Sequence, residues 1–153
     1  MQNRQRPLLA LIAACVAIAL PAPALPADNG VTVNVTVTDL RNTKGRIIAC
    51  MTSDDDHFPR CRDVAGSYKA NAAAADNVVL HFAGVRPGTY AIALLHDENE
   101  NGRADRALSM IPREGFGFSR DAPVRMGPPN FSDAAFTVGT ATVSQTIRMR
   151  YML

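Results

Sequence analysis

Val31-Thr32-Val33-Asn34-Val35-Thr36-Val37-Thr38 alternates apolar and polar residues without a break. A period of two places every valine on one face and every Thr or Asn on the other, the pattern of a half-buried β-strand. A chain that opens its folded part this way is committed to covering a valine stripe with further strands. The segments that follow agree. Arg46 to Thr52 carries Ile47, Ile48, Ala49 and Met51. Asn77 to Ala83 puts Val78, Leu80 and Phe82 on one side, which leaves His81 facing solvent. Thr89 to His96 is apolar on both faces, as a central strand is. Phe131 to Val138 and Val143 to Met152 read as the last strands, the latter with Ile147, Met149, Tyr151 and Leu153 alternating with polar residues. Tyr68 to Ala75 reads as an edge strand or a helical turn. Ser53 to Gly66 is irregular, and Ala107 to Asn130, rich in Gly and Pro, has little strand pattern. No segment keeps a helical period over ten residues, no internal repeat is visible and no linker divides the chain. Short strands with Gly/Pro turns such as Gly84-Val85-Arg86-Pro87-Gly88 predict an all-β fold. The expected fold is a single antiparallel two-sheet sandwich of about seven strands, immunoglobulin-like or transthyretin-like.

The N-terminus has a different logic. Arg4 and Arg6 precede an apolar run, Leu8 to Leu20, and then Pro21-Ala22-Pro23-Ala24-Leu25-Pro26-Ala27. A short positive region, a greasy core and a small-residue end are the parts of a secretory signal peptide. The run of 13 residues is short for a bilayer span. Ala22 and Ala24 fill the two small positions for cleavage after Ala24, and cleavage could fall as late as Ala27. The expected domains are therefore 1–24, the signal peptide, and 25–153, the sandwich, periplasmic or secreted, with no transmembrane segment after cleavage. Ile12-Ala13-Ala14-Cys15 matches a lipid-attachment box in letters. It stands close to the arginines, however, and the apolar run continues past it, which makes lipidation at Cys15 the weaker reading.

Removing 1–24 takes Arg4 and Arg6, so the 16 basic residues fall to 14, against 14 acidic ones. A neutral exported domain offers nothing to a nucleic acid. It also keeps two cysteines, Cys50 and Cys61, and an even pair in an oxidising compartment predicts a disulfide.

Asp97-Glu98-Asn99-Glu100-Asn101-Gly102-Arg103-Ala104-Asp105 carries the clearest chemical signal. Calcium takes six to eight oxygens. In D-x-N-x-N-G-x-x-D loops the first, third and fifth side chains supply them, the glycine makes the sharp turn, and the seventh carbonyl and ninth side chain complete the set. The candidate metal ligands are thus Asp97, Asn99, Asn101, Arg103 and Asp105, with calcium as the cofactor. The twelfth position, where an EF-hand has a bidentate Glu, is Leu108, and no long helix flanks the loop, so an EF-hand is excluded. Glu98, Glu114, Asp121 or water are the sources for missing ligands. The alternative is a solvated Asx-rich turn.

Other candidates are thinner. Asp54-Asp55-Asp56-His57 is a charge run in the cysteine loop, and His96 ends the central strand beside Asp97. Glu114, Phe116 and Phe118, in the glycine-rich stretch Ile111 to Arg120, could form with His96 a ligand surface for a carbohydrate or a peptide. No serine sits in a nucleophile elbow and no triad can be assembled. The reading leans away from an enzyme, with two alternatives to a binding or structural module: a small periplasmic hydrolase or isomerase using His96 with a nearby carboxylate, and an envelope assembly protein that pairs through a strand edge.

Four motifs carry a resemblance. They are Phe82-x-x-Val85-x-Pro87-Gly88-x-Tyr90, His96-Asp97-x-Asn99-x-Asn101-Gly102-x-x-Asp105, Ile111-Pro112-x-Glu114-Gly115-x-Gly117-Phe118-Ser119, and Gly127-Pro128-Pro129-x-Phe131-x-Asp133-Ala134-x-Phe136. In this order, over nearly all of the chain after the signal, they resemble the secreted bacterial domain-of-unknown-function family 2141. The resemblance implies a β-sandwich outside the cytoplasm and brings no activity with it. The first motif alone also resembles the strand-turn-strand of transthyretin-like and collagen-adhesin domains, an analogy of fold only.

Overall fold

The computed structural model describes residues 30–107 and 111–153; the proposed signal peptide, Cys15 and Leu108 lie outside them. The strands are β1 (Val31–Thr38), β2 (Arg46–Thr52), β3 (Tyr68–Ala73), β4 (Val78–Val85), β5 (Gly88–Asp97), β6 (Arg106–Ala107), β7 (Ile111–Pro112), β8 (Gly115–Phe118), β9 (Phe136–Val138) and β10 (Val143–Arg148). One sheet has the order β10-β1-β4. The other runs β3-β2-β5-β8, with β9 on the opposite end of β5 from β8, and β6 with β7 forms a separate small hairpin. Among the described residues no sheet closes into a barrel, and the fold is the expected all-β sandwich. One pair departs from the antiparallel expectation: β1 and β10 run parallel, Val33 beside Val143 and Val37 beside Ile147.

The valine stripe is buried as its alternation requires. Val33, Val35 and Val37 meet Leu80, Phe82 and Ile147 from their own sheet, and Ile47, Met51, Ile92 and Leu94 from the facing one. His81 is exposed on the outer face, where it bonds Asn34 at 2.7 Å. Cys50 and Cys61 are joined, with Cα atoms 5.8 Å apart. Closing a loop over a separation of 11 residues stabilises by about 3 kcal/mol in the chain-entropy account.

The structure decides one open reading and corrects two others. Tyr68–Ala73 is an edge strand. Phe131 to Val138 is not one strand: Phe131–Ala134 forms a short helix, α1, and only Phe136–Val138 is extended. The Gly/Pro-rich stretch contains β8, whose glycines face the core side. A Cβ on Gly117 would lie 2.8 Å from Ile147 and 2.9 Å from the Arg148 carbonyl, and one on Gly115 would overlap the Tyr151 ring. Only glycine lets β8 approach the end of β10 this closely.

The segment after β8 folds over the outer face of β5. Phe118, Ala122 and Ala134 bury Ala91 there, with Phe58, Phe116 and Phe131 around them. This second, smaller core is why β5 is apolar on both faces. Between its pairings with β9 and β8, the Ile92 N–H donates to Ser119 Oγ at 2.9 Å, and that hydroxyl donates to the Ala134 carbonyl at 2.6 Å. A buried serine thus satisfies the amide that neither neighbouring strand reaches.

Candidate functional site

The alternation that buries Ile92 and Leu94 also buries His96, which is fully covered at the end of β5. Its Nε2 meets the Lys44 carbonyl at 2.7 Å and its Nδ1 meets the Tyr151 hydroxyl at 2.8 Å. A carbonyl only accepts, so Nε2 carries the proton and, in the neutral ring, Nδ1 accepts from Tyr151. Both nitrogens are occupied inside the protein. A hydrolase or isomerase working through His96 would need one of them free and reachable.

Asp97, next in the chain, is also fully buried, and the loop is built around it. Its Oδ1 accepts the Asn101 N–H at 3.1 Å and its Oδ2 the Gly102 N–H at 2.8 Å. Asn99 Oδ1 accepts the same Asn101 N–H at 3.1 Å, and Asn101 Oδ1 accepts the Arg103 N–H at 2.8 Å. These are nested Asx turns, each side chain holding the backbone two or more residues on. Gly102, at φ 73°, supplies the reversal. Asp105 closes the loop, accepting from the Asn99 amide at 2.8 Å and the Asn101 amide at 3.0 Å. Those two amides, Asn101 first, hold its carboxyl below the usual range against a smaller opposing effect of burial.

The β6–β7 hairpin returns the chain to this loop. Arg113 N–H donates to the Asp105 carbonyl at 2.9 Å, and Asp105 N–H donates to Glu114 Oε2 at 3.1 Å. Glu114 is only 4% exposed, and its Oε1 is buried with no hydrogen-bond partner. Burial pushes its carboxyl above the usual range. The Asp105 N–H opposes this, the charges of Asp97 and Asp105 add to it, and the Glu98 amide opposes it weakly. Glu114 is therefore a buried carboxyl with one unmatched oxygen, within reach of the charges of buried Asp97 and of partly exposed Asp105.

The other two acids offered as extra ligands are engaged. Glu98 takes a forked contact from Arg41, with Nε at 3.0 Å and Nη2 on the second oxygen, and a further bond from the Asn42 amide. The Arg41 contact holds the Glu98 carboxyl below the usual range. Arg41 also reaches the carbonyls of Arg113 and Leu153 and lies 4.6 Å over the Tyr151 ring. Asp121 is far along the chain, bonded to Arg148 Nε at 2.8 Å. Of the three acids the sequence offered as extra ligands, Glu114 is the one left with a free oxygen.

Phe116 and Phe118 lie on a strand rather than a loop; Phe118 is buried and Phe116 half-buried in the second core. Asp54, Asp55 and Asp56 bring carboxylate oxygens within 4.8 Å of one another near the surface. His57 Nδ1 sits 2.7 Å from Asp54 and holds that carboxyl below its usual range. The sequence did not single out the Arg41 knot. Its members come from the β1–β2 turn, the loop, the hairpin and the C-terminus, and no short spacing links them.

Among the described residues no helix is long and apolar enough to cross a membrane. The chain matches no curated protein and no solved structure. A family model described as an uncharacterized protein conserved in bacteria matches residues 35–146, most of the chain and nearly the whole sandwich, and the chain belongs to that family, DUF2141.

Proposed function

We propose that this chain is an exported, non-enzymatic β-sandwich whose Asp97–Asp105 loop binds calcium, with Glu114 as a further ligand. The observation that carries the reading is the buried Oε1 of Glu114, which has no partner, on a carboxyl that also feels the charges of Asp97 and Asp105. An unmatched carboxylate oxygen in such surroundings is costly unless a cation compensates it. Asp97, Asn99, Asn101, Arg103 and Asp105 stand at the oxygen-donating positions of a calcium loop, and Glu114 supplies from the hairpin the carboxylate that the twelfth position lacks. Export is supported by the N-terminal pattern and fits the Cys50–Cys61 bridge, which suits an oxidising compartment.

Thermal unfolding in calcium and in chelator tests this. With a dissociation constant of about 10⁻⁴ M, about 1 mM calcium adds roughly 1.4 kcal/mol and raises the melting temperature by roughly 3–8 °C. Magnesium, which wants a tighter octahedron and keeps its water, does much less. Glu114→Gln keeps the side chain's volume and removes the charge. It should abolish the calcium increment and raise the melting temperature in chelator, where it relieves carboxylate repulsion. Equal melting temperatures for the parent protein in calcium and in chelator would reduce Asp97 to Asp105 to a turn.

A further inference from the structure

β5 is ten residues long, so its two ends lie about 30 Å apart. At the Gly88 end, away from the Asp97 loop, the described residues form an open cleft of about 550 Å³. Ser53 lines it from the loop that the disulfide closes, Gly66 and Ser67 from the turn before β3, Tyr68 from the start of β3, and Arg86 from the β4–β5 turn, with Tyr90 beneath.

The turn is held by hydroxyls. Tyr90 donates to the Arg86 carbonyl at 3.0 Å, and the Arg86 N–H donates to the Tyr68 hydroxyl at 3.2 Å. The two rings pack edge to face, 5.8 Å apart. Both polar backbone atoms of Arg86 are thereby fixed, while its side chain is exposed. Among the described residues no carboxylate lies within ion-pair distance of its guanidinium. Beside it, Ser67 Oγ is buried and has no hydrogen-bond partner. The space a side chain at Gly66 would occupy is open. A pinned turn carrying an unpaired cation, an unmatched hydroxyl and a second serine, in a cleft the size of one or two sugar rings, is a polar site with one fixed charge.

We propose that this cleft binds a small acidic saccharide, with its carboxylate or phosphate on Arg86 and its ring hydroxyls on Ser53 and on Ser67, whose hydroxyl reaches the cleft by rotation about χ1. A bare anion would leave the serines and the open volume unused. A neutral sugar would leave the guanidinium unmatched, and charge-assisted bonds are the stronger kind.

Calorimetric titration of the purified full chain with four probes tests the assignment. Galacturonic acid and glucose 6-phosphate should bind with millimolar or tighter dissociation constants. Glucose and inorganic phosphate should each bind at least about tenfold more weakly. Arg86→Gln keeps the backbone bonds to the tyrosines and should weaken the acidic sugars by about 10- to 100-fold. Ser67→Ala should weaken them a few-fold, and Lys69→Ala, an exposed cation on β3 outside the cleft, should change nothing. Failure of both acidic sugars to bind would overturn the proposal. So would phosphate binding as tightly as glucose 6-phosphate, which would mean a bare anion site, or Arg86→Gln binding like the parent. If Arg86→Gln lowers the melting temperature enough to leave it unfolded, the Ser67→Ala and Lys69→Ala pair decides, because equal affinities in those two would also overturn it.

Discussion

Arg120 and Asp121 both hold left-handed backbone, at φ 56° and 51°, in the turn that follows β8. Two consecutive non-glycine residues there store strain, and Asp121 is held in place by its side chain. It accepts the Arg148 N–H at 3.0 Å and Arg148 Nε at 2.8 Å. Burial pushes its carboxyl up, but the two Arg148 bonds and the charges of Arg148 and Arg150 outweigh it and leave the carboxyl below its usual range. A carboxyl depressed on folding adds stability above its unfolded pKa, about 3.9, and loses it as pH falls through the folded value. Asn tolerates left-handed backbone as well as Asp does. Asp121→Asn should therefore lower stability by about 0.5–1 kcal/mol at pH 7, a modest figure because the pair is partly exposed. In urea unfolding the gap between variant and parent should be smaller at pH 2.5 than at pH 7. A gap of equal size at both pH values would show that charge is not what Asp121 contributes.

Among the elements, β8 shows most clearly what a packing surface demands. Gly117→Ala adds one methyl group, which meets the Arg148 carbonyl, a backbone atom that cannot swing aside. Overpacking of this kind costs about 1–3 kcal/mol, so the melting temperature should fall by several degrees. Unchanged stability would mean that β8 and β10 are not held as described. The same two glycines explain why β8 was hidden in the sequence. Period-two reading works through apolar inward positions, and here those positions are Gly115 and Gly117, so the alternation leaves no trace. β1, β2, β4 and β5 were legible because their inward residues are Val, Ile, Leu or Phe. Tyr68–Ala73 was ambiguous because alanine marks neither state. Phe131 to Val138 read as one strand because Phe131 and Phe136 are both apolar, yet they serve different layers, the outer core and the main one. The Asp97 loop was legible because its side chains bond their own neighbourhood. The Arg86 cleft was not, since its walls come from three separate segments that only the sandwich brings to one end.

At the scale of the whole molecule, export and oxidation are read together by mass. Protein recovered from the producing cell should weigh as residues 25–153, or 28–153 if cleavage is late, less two hydrogens for the bridge between Cys50 and Cys61. It should not react with a thiol reagent until reduced. A mass that includes Met1 to Ala24, or two thiols reactive without reduction, would remove the export proposal. The parallel pairing of β1 with β10 has a consequence of its own. The strand that flanks Val33 to Val37 on one side is made more than a hundred residues later. Contacts so remote in sequence form slowly, and until Val143 to Arg148 emerges the first sheet lacks one of its three strands. A growing chain of this design keeps its first sheet open until that strand has emerged, which suits the proposed passage through a narrow channel before the core closes.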